Sequence, residues 1–434
     1  LNIAFLFFLL LGSMLIGVPI AIALGLTSVL TLLLFGQESL AALALKFFQA
    51  TQKYELLAVP FFILAGTFLT TGGVARRLID FANAAVGHFH GGLALAAVVA
   101  CMLFASISGS SPATVIAVGS IAIAGMVRNG YSLKYATGVV INAGTLGILL
   151  PPSIVMVVYA AATEQSVGRL FVAGIIPGII LACMLMVAIY VSSRRLDTPR
   201  IPWGGWRNLA RRTVDASWGL LLIVIVLGGI YVGAFTPTEA AAVSAVYAFV
   251  VATFVYRDLK LRDVFPVLLQ SSRVIIMLMF IISNAGLFAY VLTSQQIPQA
   301  LTEAMAGGNV QPWMFLLAIN LAMLIAGNFM EPTSIVLIFA PIVFPIAMKL
   351  GVNPIHLGVL MTVNMEIGLV HPPVGLNLFV AAGVTKQSLW DVTKAALPWL
   401  AILVVFLLLV TYVPILSTWL PDLAFGKDPF LNDQ

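Results

Sequence analysis

One interrupted apolar pattern occurs twice in this chain, about 220 residues apart. In the first half Ser111-Pro112-Ala113-Thr114 precedes Gly147-Ile148-Leu149-Leu150-Pro151-Pro152. In the second half Glu331-Pro332-Thr333-Ser334 precedes Gly368-Leu369-Val370-His371-Pro372-Pro373. Pro112 and Pro332, Gly138 and Gly358, and Ala65-Gly66 and Ala285-Gly286 are each 220 positions apart; Gly147 and Gly368, like the two Pro-Pro pairs, are 221 apart. Several separate matches that keep nearly one offset indicate duplication rather than the recurrence of common residues. Proline removes a backbone donor and obstructs the preceding turn, so each copy interrupts a helix. The carbonyls freed by such a break are tolerated at membrane depth only where protein or a cavity satisfies them.

The surrounding composition makes lipid the relevant solvent. Of 434 residues 61% are hydrophobic and 9% charged, against roughly 25% charged in soluble domains. The formal net charge of +5 comes from short loops without a basic run interleaved with aromatics, which excludes a nucleic-acid groove. Cys101 and Cys183 lie in apolar stretches and read as free buried thiols, with no disulfide framework. Zinc spacing, a P-loop, a GxSxG elbow and a GxGxxG fingerprint are all missing from the sequence, so neither a cofactor nor an enzyme is expected. Because no charge precedes Glu38, residues 1–36 are expected to be mature membrane sequence rather than a signal peptide.

The resulting fold class is an all-α polytopic membrane protein with two inverted-topology repeats. The first repeat is placed at 1–191 and the second at 217–420, joined by an arginine-rich linker at 192–216 and followed by a tail at 421–434. Spans fall near 1–16, 19–36, 56–71, 170–191, 217–234, 236–256, 274–293 and 395–420. Segments 92–127 and 314–349 break in the middle and read as re-entrant helical hairpins, each arm too short to cross alone; 135–163 and 355–383 read as broken helices. Arg194, Arg195, Arg200, Arg207, Arg211 and Arg212 place the linker in the cytoplasm, together with Arg76, Arg77, Arg128, Lys134, Arg257, Lys260, Arg262, Arg273, Lys386 and Lys394. Lys46, Lys53, Arg169, Lys349 and Lys427 run against that trend. Both termini, including the tail, then lie on the outer side, and the hairpins enter from opposite sides. Duplicated broken helices of opposite orientation are the pattern of secondary transporters, with the site at the repeat interface.

Each hairpin tip is expected to meet the broken helix of its own half. Carbonyls at such a break, helped by hydroxyls, can surround a small hard cation such as Na⁺. The first set of ligands is Ser108, Ser110, Gly147, Leu149 and Pro152; the second is Asn328, Met330, Gly368, Val370 and Pro373. The competing reading is that these residues only make tight turns and caps. Ser111-Pro112 and Glu331-Pro332 resemble N-caps followed by proline, and a helix starting there aims its positive end at an anion. Candidate substrate contacts are Ser110, Ser111, Asn142, Glu331, Thr333 and Asn377. Glu331 either touches substrate or caps its helix. Asn142, Thr145, Asn364 and Asn377 either line the cavity or bond freed carbonyls. His371, where the first half has Leu150, reads as a satisfied hydrogen-bonder, and Thr236-Pro237-Thr238-Glu239 as a capping box.

Four segments carry a family resemblance: Ser106-Ile107-Ser108-Gly109-Ser110-Ser111, Leu146-Gly147-Ile148-Leu149-Leu150-Pro151-Pro152-Ser153, Phe235-Thr236-Pro237-Thr238-Glu239-Ala240-Ala241 and Pro372-Pro373-Val374-Gly375-Leu376-Asn377. In this order they resemble the large membrane subunit of tripartite ATP-independent periplasmic (TRAP) transporters of the C4-dicarboxylate type, over essentially the whole chain. The resemblance implies a bacterial inner-membrane transporter driven by Na⁺. It also implies an elevator motion of hairpins and broken helices against a scaffold. The implied partners are a small membrane (Q) subunit and a periplasmic substrate-binding (P) protein that delivers a small carboxylate. By the same resemblance the tips and Gly-x-x-x-Pro-Pro segments hold sodium, and the position of Glu331, often aspartate in similar proteins, lies close to substrate. His371 stands where threonine is expected in many relatives. A stand-alone Na⁺/dicarboxylate symporter of related fold is the alternative, against which the segment Phe235–Ala241 speaks.

Overall fold

Helices are the only regular secondary structure among the described residues of the computed structural model, which are 2–36, 39–195, 198, 202–307 and 310–427. The first half comprises α1 (Asn2–Leu15), α2 (Ile20–Phe35), α3 (Leu40–Gln49), α4 (Ala58–Thr71), α5 (Val74–Val86), α6 (Gly92–Ser108), α7 (Ser111–Arg128), α8 (Leu133–Gly144), α9 (Leu146–Leu149), α10 (Ile154–Thr163) and α11 (Val167–Arg195). In the second half are α12 (Gly205–Tyr231), α13 (Pro237–Val250), α14 (Leu261–Ser294), α15 (Ile297–Gly307), α16 (Pro312–Gly327), α17 (Pro332–Lys349), α18 (Pro354–Val370), α19 (Leu376–Thr385), α20 (Leu389–Tyr412) and α21 (Ile415–Phe425). Nine helical segments of the described residues are long and apolar enough to cross a membrane.

In each half a packed helical pair precedes an interrupted helix: α6 and α7 before α8–α10, then α16 and α17 before α18–α19. The boundaries follow from local chemistry. Gly109, in the left-handed region at φ 61°, ends α6, a conformation that glycine adopts without a Cβ penalty. Ser132 accepts from Tyr135 N at 3.2 Å to start α8, and Asn353, 221 positions later, accepts from Ile355 N at 2.9 Å to start α18. Both Pro151-Pro152 and Pro372-Pro373 are cis. The halves also interlock. Gly138 on α8 lies beneath Trp399 of α20, 2.8 Å from where its Cβ would stand, while Gly358 on α18 lies beneath Tyr159 of α10 at 2.6 Å in the same sense. Equivalent glycines thus receive an aromatic ring from the opposite half.

Several sequence expectations change. Helices α7 and α17 are each 18 residues long and, by length and composition, long enough to cross. The expectation that every hairpin arm is too short therefore fails for the second arms, which reach 18 residues where α6 has 17 and α16 has 16. The span expected at 395–420 is α20, which stops at Tyr412 ahead of Pro414, and α21 then runs across the expected start of the tail at 421. The arginine-rich linker is mostly helical: Arg194 and Arg195 close α11, and Arg207, Arg211 and Arg212 ride on α12, while Arg200 and residues 428–434 lie outside the described residues. Cys101 is buried as expected, but Cys183 is exposed, on a face of α11 shared with exposed Ile179 and Val187. Amphipathic α5 escaped notice because hydropathy alone overlooks a helix whose apolar face is only half its surface.

Candidate functional site

The first tip and the first break are in backbone contact. A Cβ on Gly147 would stand 2.7 Å from the Ser110 carbonyl carbon and oxygen and 2.8 Å from Ser111 N. A Cβ on Gly109 would collide with the Pro152 carbonyl, and one on Gly66 of α4 would lie 3.2 Å from the Ser108 carbonyl. Two turns of chain therefore press together with glycine on each side. The single turn α9 ends here, and the last carbonyls of a helix have no intrahelical partner. One of them is used internally: the Ser153 hydroxyl donates to Ile148 O. The Leu149 carbonyl faces Gly174 of α11. Gly147, Leu149, Pro152, Ser108 and Ser111 are all buried.

Hydroxyls line this junction. Thr114 Oγ1 donates to Ser110 O at 2.8 Å, and the Ser108 and Thr114 hydroxyls meet at 3.2 Å. Removing the Ser108 hydroxyl leaves the Thr114 bond in place. A Ser108→Ala chain is therefore expected to lose less than about 1 kcal/mol of stability, measured by thermal denaturation. A larger loss would show that the Ser108 hydroxyl is needed to hold the junction together.

The second junction is built alike but is more open. Gly327 and Gly368 face each other, so a Cβ on Gly368 would lie 3.0 Å from Gly327 Cα. Small residues let helices approach this closely inside a membrane. Asn328 Oδ1 bonds His371 Nδ1 at 2.6 Å, joining tip to break, and Asn328 Nδ2 donates to Leu324 O at 3.1 Å. Asn328, Met330 and His371 are half-buried and Pro373 is exposed, whereas Gly368 and Val370 are buried. A Gly368→Ala chain should fold, separate α16 from α18 by a few tenths of an ångström, and import more slowly than the parent in reconstituted vesicles. An unchanged rate would show the close approach to be dispensable.

The expected substrate contacts divide into separate groups. Asn377 Nδ2 on α19 donates to Ser111 Oγ at 2.7 Å, and both residues are fully buried. This bond joins the first hairpin to the second broken helix, and Ser110 is its neighbour. Helix α7 starts one residue earlier than anticipated: Ser110, not Ser111, is the N-cap and makes no side-chain capping bond. Glu331 does cap α17, accepting from Ser334 N at 2.8 Å and Ser334 Oγ at 2.9 Å, with Thr333 buried in the next turn. Asn142 turns toward α20, with Nδ2 donating to Gly138 O at 2.9 Å and Ala396 O at 3.4 Å. No bond connects Asn142 or Glu331 with the Ser111–Asn377 pair among the described residues. Asn142 Oδ1 and Asn377 Oδ1 are buried without a partner.

The capping box is present, with Thr236 N donating to Glu239 Oε2 at 2.8 Å and Glu239 N to Thr236 Oγ1 at 3.3 Å. Two features were missed in the sequence. A buried amide chain runs from Asn364 to Asn320 Oδ1 at 3.0 Å and from Asn320 to Thr411 Oγ1 at 2.9 Å. Glu366, wholly buried on α18, has no hydrogen-bond partner at either carboxylate oxygen. Its signal was available, since it is the lone acid within 354–370.

The sequence profile of the family described as tripartite ATP-independent periplasmic transporter, DctM component, matches residues 7–416. The chain belongs to this family. Among its relatives, the C4-dicarboxylate TRAP transporter large permease protein DctM of Pseudomonas aeruginosa is 62% identical over 400 residues, covering 92% of this chain and 94% of that protein. The Vibrio cholerae protein of the same name is 55% identical, covering 98% and 99%. The isethionate TRAP transporter permease protein DctMQ of Oleidesulfovibrio alaskensis is 39% identical over 92% of this chain but only 63% of its own length. The YdaH transporter of Alcanivorax borkumensis shares the fold, with a TM-score of 0.59, 16% identity and coverage of 96% and 99%. Family membership makes the chain a membrane transporter component, in keeping with its nine described helices of spanning length.

Proposed function

We propose that this chain is the large permease subunit of a TRAP complex that imports a C4-dicarboxylate or a related organic acid together with Na⁺. The observation that carries the substrate class is the 62% identity, over nearly the whole chain, to a C4-dicarboxylate permease. The complex sits in the bacterial inner membrane with both termini of this chain in the periplasm. A periplasmic binding protein delivers the acid, and a small Q subunit flanks the permease. Hairpins and broken helices carry the site across in an elevator motion against the remaining helices, and the two repeats are inverted with respect to each other.

The two helix starts support different roles. At α17 the Glu331 carboxylate already occupies the positive end, with Ser334 N and Oγ as donors. At α7 no side chain caps the end, and the first-turn N–H groups of a helix are unpaired donors. Ser111 Oγ accepts from Asn377, which leaves its own proton to donate. An anionic carboxylate therefore belongs at Ser110-Ser111 beside Asn377, favoured by the helix dipole, whereas Glu331 and Thr333 face the cargo's hydroxyl or the accompanying cation. Sodium belongs at the two junctions, where carbonyls of Gly147, Leu149 and Pro152, and of Gly368, Val370 and Pro373, leave short helix ends.

The test is uptake of labelled succinate by proteoliposomes containing this chain and its small subunit, with the binding protein added or omitted. The reading requires uptake only with the binding protein. Equal uptake without it would identify a stand-alone symporter.

A further inference from the structure

A cavity of about 250 Å³ lies between α3, α14, the end of α10 and the middle of α17, and no residue of either tip lines it. Its floor is apolar, formed by residues such as Leu56, Ala285 and Leu337, and its polar wall carries Lys46, Gln49 and Lys53. No acidic residue lines it. Lys53 Nζ donates to Ala161 O at 2.6 Å and lies 3.6 Å from Glu164 Oε1, on a side chain that is 86% exposed. That arrangement explains Lys53 as a cation at the C-terminal end of α10. It does not explain Lys46. The Lys46 ammonium stands 4.8 Å over the Tyr290 ring, and no carboxylate pairs with it among the described residues. Two ammonium groups thus share an apolar recess that one solvated carboxylate only partly offsets. Low-dielectric walls focus such a field and concentrate anions.

We propose that this cavity is an anion-binding vestibule that takes the carboxylate groups of the organic acid at the end of the molecule where α10 finishes, before the acid reaches the tips. The assignment of carboxylate cargo rests on the function proposed above. The walls belong to different parts of the fold: α3 and α14 come before the second hairpin, while α17 is part of it. An acid held there touches both the helices that stay and those that move. A lipid phosphate has the same charge chemistry, so the two sources must be separated by experiment.

The test uses the full chain with Cys101→Ala, Cys183→Ala and Gln49→Cys. The rate at which a membrane-impermeant anionic thiosulfonate modifies the new thiol is compared with that of its cationic analogue, in nanodiscs of phosphatidylcholine with and without phosphatidylglycerol. The anionic reagent is expected to be favoured ~10-fold relative to the same pair acting on a chain that also carries Lys46→Gln and Lys53→Gln, and succinate is expected to slow its reaction. An unchanged preference after both lysine substitutions overturns the proposal. So does protection by phosphatidylglycerol without protection by succinate, which would assign the cavity to a lipid headgroup. Labelling does not require transport. A complex that fails to import succinate while the charge preference and succinate protection persist would therefore refute the proposed function and leave the vestibule standing.

Discussion

A Gly147→Leu chain is expected to reach the membrane and to import nothing. The site has no slack: the first atom of any side chain would lie 2.7 Å from the Ser110 carbonyl group and 2.8 Å from Ser111 N. These neighbours are backbone, so no rotamer change relieves the clash. The tip cannot retreat either, because Gly109 lies directly over the Pro152 carbonyl and Ser108 rests on Gly66 of α4. Overpacking of this kind costs about 1–3 kcal/mol, which a protein of this size can survive. The tip, however, would be displaced from the carbonyls at which sodium is proposed to bind. Uptake and thermal stability measured together separate these effects. Gly383→Ala is the control, since nothing lies within 4 Å of a Cβ at that position, and it should match the parent in both. Sodium-driven uptake at the parental rate in the Gly147→Leu chain would remove the first junction from the mechanism.

An Asn377→Leu chain is expected to show the second large effect, a loss of both uptake and stability. The bond from Asn377 Nδ2 to Ser111 Oγ, at 2.7 Å, is the side-chain hydrogen bond between α19 and α7, and both residues are fully buried. Leucine leaves the Ser111 hydroxyl without its donor in a buried place, a penalty of about 1–3 kcal/mol. Adding Ser111→Ala removes the orphaned hydroxyl, so the double variant should recover part of the stability. It should not recover uptake, because the proposed carboxylate donor is then gone as well. Such a double-mutant cycle isolates the pair. Full recovery of uptake in the double variant would show that the pair serves packing alone.

The sequence revealed these junctions because they depend on residue types with strong backbone consequences. Gly109, Pro112, Gly147 and Pro151-Pro152 leave few alternatives to a turn facing a break, and the same types recur in the second half at Pro332, Gly368 and Pro372-Pro373. Capping was legible for the same reason: Glu331 and the Thr236–Glu239 box bond to backbone groups within three residues. Long-range partners were not. That Ser111 meets Asn377, 266 residues away, or that Asn142 turns to the Ala396 carbonyl rather than to the tips, depends on how helices pack. Nothing in local periodicity encodes that. Burial of Glu366 was hidden likewise, since a single acid in an apolar run looks the same on a lipid-facing, cavity-facing or core-facing side. The different openness of the two junctions, with Pro152 buried and Pro373 exposed, depends on how the helices pack around each, and two nearly identical motifs cannot distinguish it.

Under the proposed function, sodium held where tip meets break drives import of the acid. The most direct measurement is succinate uptake by proteoliposomes of the complete complex, with an inward Na⁺ gradient imposed or replaced by K⁺ at the same membrane potential. Accumulation is expected with the Na⁺ gradient, none with K⁺, and none in the Gly147→Leu complex under either condition. Equal accumulation in K⁺ would contradict the proposed coupling and leave both junctions without a coupling ion.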